Sequence, residues 1–153
     1  MTRPLTTVRF DNDSINWRQL GEFEYFRYTV IDVDSEAEVV DFALRLDANE
    51  RILLHRHRAL TMTTVLQGEH RLYEPDGRVK DIRPLGSYTV SPASPEPHTE
   101  GGGADGAIVL YSTRGSVDGV IFDVVDDAGN DVGTLTVADF AALYDGQGCR
   151  AGG

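Results

Sequence analysis

The feature of the sequence that most constrains its fold is a series of short apolar runs separated by turn-forming clusters. Apolar side chains occupy every second position from Val40 to Leu46, the period-two pattern of a strand with one buried face. Residues 67–68 (Gln-Gly), 74–77 (Glu-Pro-Asp-Gly) and 127–130 (Asp-Ala-Gly-Asn) have the composition of turns. Many short strands with turns between them predict an antiparallel all-β fold, either a sandwich or a barrel. Further strands are predicted at residues 23–33, 52–57, 62–66, 70–73, 79–82, 87–90, 107–112 and 119–125.

One segment near the C-terminus has helical rather than strand periodicity. Thr136 and Asp139 have the spacing of a capping box, with Asp in place of the more usual Glu. Residues 140–144 then place large apolar side chains three and four positions apart, which is the spacing of one helix face. We therefore predict a short amphipathic helix over residues 137–145, with Gly146 as its stop.

Length and composition indicate one folded domain. The chain has 153 residues, of which 41% are apolar and 25% charged, and this is the composition of a folded protein rather than a disordered one. We predict a single domain over residues 1–147, followed by a flexible tail at 148–153. The one cysteine, Cys149, cannot form an internal disulfide, so we expect a cytoplasmic protein.

The charge balance restricts the partners of the protein. It has 14 basic and 25 acidic residues, a formal net charge of −11. Such a surface repels phosphate backbones and anionic lipid headgroups, so we expect neither a nucleic-acid partner nor membrane binding. No apolar run approaches the roughly 20 residues that cross a bilayer as a helix.

Two histidines separated by one residue are the first candidates for chemistry. If residues 52–57 form a strand, the imidazoles of His55 and His57 leave the same face, and Arg56 and Arg58 point to the other. A divalent metal would stabilise two neighbouring neutral imidazoles. The alternative is a pair of surface histidines on an edge strand. We expect the arginines to serve surface pairing or a subunit contact, and we expect a homo-oligomer, either a dimer or a tetramer.

The residues around this pair resemble the first motif of the cupin superfamily, the small β-barrels of jelly-roll type. That motif consists of His-x-His, three or four residues, Glu, six residues and Gly. Here His55, His57 and Gly68 fit it, and Thr61 stands where the Glu is usual. The resemblance implies an all-β cupin fold of jelly-roll type with a short C-terminal helix.

A second cupin motif lies further along the chain. It consists of Gly, five residues, Pro-x-Gly and then His. Gly86 and Pro92 fit it, Ser94 replaces the Gly, and His98 lies one residue beyond the position that the motif gives the His. The resemblance covers roughly residues 38–125, and these motifs are more specific for fold than for function.

The missing Glu makes the chain similar to single-domain cupins related to acetylacetone-cleaving enzyme and dihydroxyacetophenone dioxygenase. It is also similar to the cupin domain of certain anti-sigma factors, which keeps its Glu and holds zinc. The acetylacetone-cleaving type binds iron through three histidines, and the resemblance implies His55, His57 and His98 as ligands here. We therefore expect one divalent metal ion, first of all Fe(II), with Zn(II) or another transition metal as the alternative.

Three neutral imidazoles on a divalent iron leave positions for a bidentate substrate and dioxygen. Without a carboxylate the site would keep its full +2 charge and favour an anionic chelator such as an enolate. The resulting hypothesis is a non-haem iron dioxygenase that cleaves a C–C bond in a small β-dicarbonyl or hydroxyketone. The alternatives are a non-catalytic metal-binding cupin that acts as a sensor or small-molecule binder, and a metal-dependent hydrolase or isomerase.

Other polar residues near the motifs have smaller roles in this interpretation. Thr61 is a candidate catalytic residue whose hydroxyl would orient a ligand or a water inside the barrel. Glu100 and Glu96 are the carboxylates that could approach the metal, but the glycines at 101–103 predict a flexible loop and a solvated Glu100. His70 matches no ligand position and is interpreted as an ordinary strand histidine.

Overall fold

Strands dominate the fold, which we describe from a computed structural model. The structure describes residues 5–11 and 13–151, with side chains as far as residue 147. All pairing between the strands is antiparallel. This confirms the predicted all-β class with a C-terminal helix. The elements are β1 (Phe26–Asp34), β2 (Val39–Leu46), β3 (His55–His57), β4 (Leu60–Tyr73), β5 (Val79–Arg83), β6 (Tyr88–Ser91), β7 (Thr99–Arg114), β8 (Val120–Val125), β9 (Asp131–Thr136) and α1 (Val137–Ala151).

The strands form two sheets with one apolar core between them. The larger sheet has the order β1-β2-β7-β4-β5, with β6 also paired to β4, and the smaller sheet has the order β3-β8-β9. Phe42 of β2 meets Phe122 of β8 edge-on, with ring centroids 6.0 Å apart. Phe140 of α1 stacks on Phe42 at 5.0 Å, so the helix closes the core at one side. Two antiparallel sheets facing each other across one core are the arrangement of a jelly roll.

Strand β4 is longer than the sequence predicts. Two strands with a turn near Gly68 were expected, but β4 runs through this residue with irregular pairing to β7 on both sides of it. Gly68 has a φ of +71°, and a Cβ there would collide with the carbonyl oxygen of Gly106. The glycine therefore serves a bulge in a continuous strand rather than a turn.

Strand β7 also begins earlier than expected, and the predicted flexible loop at 101–103 is wrong. These three glycines are buried within β7. A Cβ at Gly101 would collide with the carbonyl oxygen of Glu50, and Asn49 N–H donates to the carbonyl of Gly102 over 3.2 Å. The glycines allow the chain around residue 50 to approach β7 closely. As a consequence, Glu100 is held in a strand.

The capping box of α1 is confirmed, whereas its predicted end is wrong. Thr136 N–H donates to Asp139 Oδ2 over 2.9 Å, and Asp139 N–H donates to Thr136 Oγ1 over 3.0 Å. The helix continues past Gly146, because Gln147 binds the backbone of β1 through its side-chain amide. It includes residues 148–151 of the expected tail, and residues 152 and 153 lie outside the described part. No described helix is long and apolar enough to cross a membrane.

Candidate metal centre

Backbone pairing brings the two sequence motifs together. His55 N–H donates to the carbonyl of His98 over 3.0 Å, and His98 N–H donates to the carbonyl of His55 over 2.9 Å. Since residues two apart on a strand share a face, His57 points to the same side as His55. The ring centroid of His98 lies 4.7 Å from that of His55 and 4.9 Å from that of His57. The three predicted ligand histidines therefore form one cluster.

Glu100 completes this cluster, contrary to the expectation that it is solvated. One ligand atom from each of His55, His57, His98 and Glu100 lies within 4.8 Å of the others. The histidines are 7–8% exposed, and Glu100 is only 2% exposed. A buried carboxylate with three buried imidazoles is a donor set that divalent transition metals bind. We call these four residues the metal cluster.

Two further buried residues hold Glu100 in place. His70 Nε2–H donates to Glu100 Oε1 over 2.8 Å, and the Tyr111 hydroxyl donates to the same oxygen in a short hydrogen bond. The other oxygen, Oε2, lies 3.0 Å from His55 Nε2 and 3.6 Å from His98 Nε2. Oε1 of the carboxylate is thus anchored in the core, and Oε2 faces the imidazoles of His55 and His98. His70 is a strand histidine, as expected, but it has this specific positioning role.

The sequence contains weak signals for both of the residues that were missed. Glu100 lies two positions after His98, which on a strand means the same face. His70 alternates with Leu72, and both are buried. The first signal was outweighed by the three following glycines, which are typical of a loop. The signal for His70 was outweighed because His70 matches no position at which the cupin motifs place a ligand.

Hydrogen bonds donated by Nδ1–H orient the rings of His55 and His57. His57 Nδ1 lies 3.1 Å from Thr61 Oγ1, and the Thr61 hydroxyl donates to the carbonyl of Ala59 over 3.1 Å. With its only proton used there, Thr61 accepts the proton of His57 Nδ1. His55 Nδ1–H likewise donates to the carbonyl of Leu53 over 2.9 Å. Both rings therefore present an unprotonated Nε2 to the cluster when they are neutral.

This arrangement explains the position of Thr61. Its hydroxyl contacts the ring nitrogen of His57 that is not directed at the metal cluster, and the side chain is fully buried. Thr61 orients His57, and its expected catalytic role stays a prediction. The first motif lacks its carboxylate, and the carboxylate in the metal cluster is Glu100, two residues beyond the end of the second motif. Glu96 is exposed and does not belong to the metal cluster.

Unpaired nitrogens show that the donor set fits a metal ion. His57 Nε2 and His98 Nε2 are buried and have no hydrogen-bond partner among the described residues. Leaving a buried polar group unpaired costs about 1–3 kcal/mol. His55 Nε2 and Glu100 Oε2 are both acceptors when His55 is neutral, so their 3.0 Å contact needs a proton or a cation between them. A divalent metal bound by these atoms would satisfy all of them.

The pKa values in the cluster favour the ligand forms of two histidines and the carboxylate. Burial, reinforced by the charges of His55 and His98, lowers the pKa of His57 to about 3. Burial also lowers the pKa of His98. Although burial raises it, the imidazoles of His55, His70 and His98 around the carboxylate hold the pKa of Glu100 well below its ordinary value. Burial lowers the pKa of His55, but its hydrogen bond to Glu100 outweighs this and raises it.

These pKa shifts predict weaker stability and weaker metal binding in mild acid. His57 and His98 take up protons at lower pH in the folded chain than in the unfolded chain, where the histidine pKa is about 6.5. The free energy of unfolding should therefore fall as pH drops below about 6.5, and for His57 this continues toward pH 3. Protons also compete with the metal for the same nitrogens. We expect the melting-temperature difference between metal-loaded and chelator-treated protein to be smaller at acidic than at neutral pH. An equal difference by calorimetry would contradict this.

Two cavities adjoin the cluster. One of about 210 Å³ is lined by His57, His98 and Glu100 together with residues from β4, β5, β6 and the segment before β7. The other, of about 70 Å³, touches His55 and Glu100 and has otherwise apolar walls. The larger cavity has the more polar walls of the two, and it gives a small ligand access to the metal cluster.

Arg56 and Arg58 form ion pairs, but the Asp123 carboxylate that they share is buried rather than on the surface. Arg56 Nη1 lies 3.3 Å from Asp123 Oδ2 and 2.6 Å from Asp131 Oδ1, and Arg58 Nη1 lies 2.8 Å from Asp123 Oδ2. These pairs tie β3 to β8 and β9 on the side opposite to the imidazoles. They support the strand that carries His55 and His57.

Comparison of the sequence with protein-family models and with curated proteins finds no match. Solved structures of cupin proteins do match the fold. An RmlC-like cupin protein from Ralstonia eutropha JMP134 is 17% identical, with 96% of this chain and 89% of that chain covered and a TM-score of 0.70. An acetylacetone dioxygenase from Acinetobacter johnsonii is 10% identical, with 95% of each chain covered and a TM-score of 0.69.

The anti-sigma ChrR, solved in complex with Rhodobacter sphaeroides SigE, also matches. It is 23% identical, with 67% of this chain and 50% of that chain covered and a TM-score of 0.54. The likeness to these structures shows the fold. The cupin fold predicted from the two motifs is therefore confirmed, with a buried group of three histidines and one glutamate that could bind a metal ion.

Proposed function

We propose that this cupin-fold protein is a mononuclear non-haem iron dioxygenase that cleaves a C–C bond in a small β-dicarbonyl or hydroxyketone. The observation that carries the proposal is the convergence of three buried imidazoles and one carboxylate beside a cavity of about 210 Å³. The structural match to an acetylacetone dioxygenase supports this reaction class. The partner is accordingly a small-molecule substrate.

The metal would be held by His55, His57 and His98 through Nε2 and by Glu100 through Oε2. A bound ferrous ion supplies Lewis acidity and the redox capacity for dioxygen. The sequence predicted a site with an undiminished +2 charge, and the ionised Glu100 corrects this to +1. A single deprotonated enolate then neutralises the site, so the preference for an anionic chelator remains.

Glu100 acts in this proposal through its charge rather than as a general base. Burial raises its pKa, but the imidazoles of His55, His70 and His98 around it outweigh this and hold the pKa well below its ordinary value. A carboxylate with so low a pKa is a weak proton acceptor at neutral pH. His70 and Tyr111 keep it oriented by hydrogen bonds to Oε1.

One observation favours a second candidate, the non-catalytic metal-binding cupin. Three histidines and one glutamate can fill all four positions of a tetrahedral zinc ion, as structural zinc sites do. The match to the anti-sigma ChrR agrees with this reading. In that case the metal would stabilise the fold, and no coordination position would be left for a substrate.

Oxygen consumption distinguishes the two candidates. We expect the iron-loaded protein to consume dioxygen with acetylacetone-like or hydroxyacetophenone-like compounds in an oxygen electrode. The zinc-loaded protein should not, because zinc has no redox chemistry. Elemental analysis of protein purified without a metal-binding tag should find iron near one per chain.

Three other outcomes would contradict the proposal. Metal-dependent ester cleavage without oxygen uptake would indicate the hydrolase. No activity on diketones, hydroxyketones or esters, with one tightly bound metal per chain, would indicate the non-catalytic cupin. Absence of any bound metal after exposure to Fe(II) or Zn(II) would contradict both candidates.

A further inference from the structure

The larger cavity carries two cationic side chains, Lys80 and Arg83, both from β5. Lys80 is the only lysine among the 153 residues of the chain. The walls of the same cavity include His57 and His98 of the metal cluster. Two positive charges thus lie beside the metal cluster of a protein whose net charge is −11.

An irregularity in the sheet accounts for the position of Lys80. In the pairing of β5 with β4, Val79 lies opposite Tyr73 and Asp81 lies opposite Leu72, so Lys80 has no partner. In a regular strand, residues 80 and 83 would point to opposite faces. A bulge of this kind re-aims a side chain, and such bulges are common beside active sites. Here it allows both cations to line one cavity.

The two cations differ in how they are held. Arg83 Nε–H donates to Asp81 Oδ2 over 2.9 Å, and Arg83 Nη1–H donates to Thr63 Oγ1 over 3.2 Å. These bonds fix the guanidinium, whose side chain is only 13% exposed. Lys80 is exposed and forms no ion pair within the described part of the chain. The cavity therefore has one fixed cation and one free one.

The electrostatics of the cavity favour an anion. Arg83 is paired with Asp81, whereas Glu96, the one lining carboxylate outside the metal cluster, is exposed and forms no ion pair with Lys80. A guanidinium and an ammonium in one cavity match a carboxylate of a ligand.

We infer that Lys80 and Arg83 bind a carboxylate of the substrate, which makes the substrate a keto acid that bears a chelating carbonyl group rather than a neutral diketone. This inference rests on the proposed function, because the chelating end of the substrate lies at the metal cluster. The carboxylate then lies at the β5 side of the cavity. The two cations are specificity residues in this view, and the four cluster residues hold the metal.

A matched pair of ligands tests the inference. The compounds 2,4-dioxopentanoate and its methyl ester share the same diketone and differ by one negative charge. In the zinc-loaded protein the dioxygenase reaction cannot take place, because zinc has no redox chemistry, so calorimetry can measure both dissociation constants. We expect the acid to bind about ten-fold more tightly than the ester, and Lys80→Gln to remove most of this advantage while changing the ester affinity less than about two-fold.

Arg78→Gln is the matched control. Arg78 lies just before β5, carries the same charge, pairs with Asp76 at 2.7 Å and does not line the cavity. This variant should leave both dissociation constants unchanged. Added salt should reduce the advantage of the acid in the wild type, because Lys80 is exposed.

The solitary lysine permits a second measurement on the unmodified sequence. Reductive methylation followed by mass spectrometry reports on Lys80, with the α-amino group as internal reference. The acid should protect Lys80 from methylation, and the ester should not.

The outcomes separate the inference from the proposed function. Equal affinity for acid and ester, or an advantage of the acid that survives Lys80→Gln, would overturn the carboxylate subsite and leave the proposed function standing. Equal methylation of Lys80 with either ligand would do the same. Failure of both compounds to bind the zinc-loaded wild type would overturn the inference together with the proposed chelation at the metal.

Discussion

His98→Ala should remove most of the bound metal and, with it, the oxygen consumption of the iron-loaded protein. His98 provides one of three buried Nε2 donors, and no other described histidine is free to replace it, because His70 is bonded to Glu100. Two imidazoles and a carboxylate hold a divalent ion far more weakly than three imidazoles and a carboxylate. Elemental analysis after dialysis should show well under half of the wild-type metal content. The apo forms of variant and wild type should melt at similar temperatures, since the removed ring has an unpaired Nε2.

Thr99→Val is the neighbouring control. Thr99 is the next residue of the same segment, and its buried hydroxyl has no hydrogen-bond partner among the described residues. Valine has nearly the same shape, so this variant should keep its metal. Full metal retention in His98→Ala would show that the second motif does not supply a ligand, and that its one-residue offset from the family pattern places the ligand elsewhere.

Glu100→Gln should weaken both the metal site and the fold. The substitution keeps the shape of the side chain but removes the charge that His55 and His70 face at 3.0 Å and 2.8 Å. Breaking a buried ionic contact by removing one partner costs on the order of 3 kcal/mol. Loss of an anionic ligand, or even of the group that orients the ligands, lowers metal affinity about 10- to 100-fold or more. Urea denaturation of the chelator-treated protein and a competitive metal titration measure the two effects separately.

The same cavity offers a control carboxylate. Glu96 is exposed and lies outside the metal cluster, so Glu96→Gln should change neither the metal affinity nor the unfolding free energy appreciably. A Glu100→Gln variant that binds metal as tightly as the wild type would remove Glu100 from the ligand set. The site would then be the three-histidine centre that the sequence motifs predict.

The elements that sequence patterns predicted well are those whose signal is local. Strand β2 follows from the alternation between Val40 and Leu46, because one face of a strand must be apolar to pack on the core. The beginning of α1 follows from Thr136 and Asp139, whose reciprocal hydrogen bonds depend only on their spacing. The cluster of His55 with His57 follows from strand geometry alone.

The elements that were predicted wrongly depend on contacts between distant segments. Gly68 and the glycines at 101–103 have the composition of turns and loops, yet both lie inside long strands. Their lack of a side chain serves close approach, to Gly106 in one case and to the chain around Glu50 in the other. A glycine in a loop and a glycine at a close backbone contact inside a strand look the same in the sequence. Only the segment that packs against the glycine distinguishes the two cases.

The sequence by itself determined the antiparallel β class, the capped C-terminal helix, the cupin-like motifs and the three histidines. All of these follow from residue spacing within single segments of the chain, because that spacing decides which face of a strand or helix each side chain occupies. Only the tertiary structure decided that Glu100 joins the histidines, that His70 and Tyr111 anchor it, and that a bulge brings Lys80 to the same cavity as Arg83. These facts depend on burial and on register between distant strands, and a buried carboxylate is stable only where the fold supplies its partners.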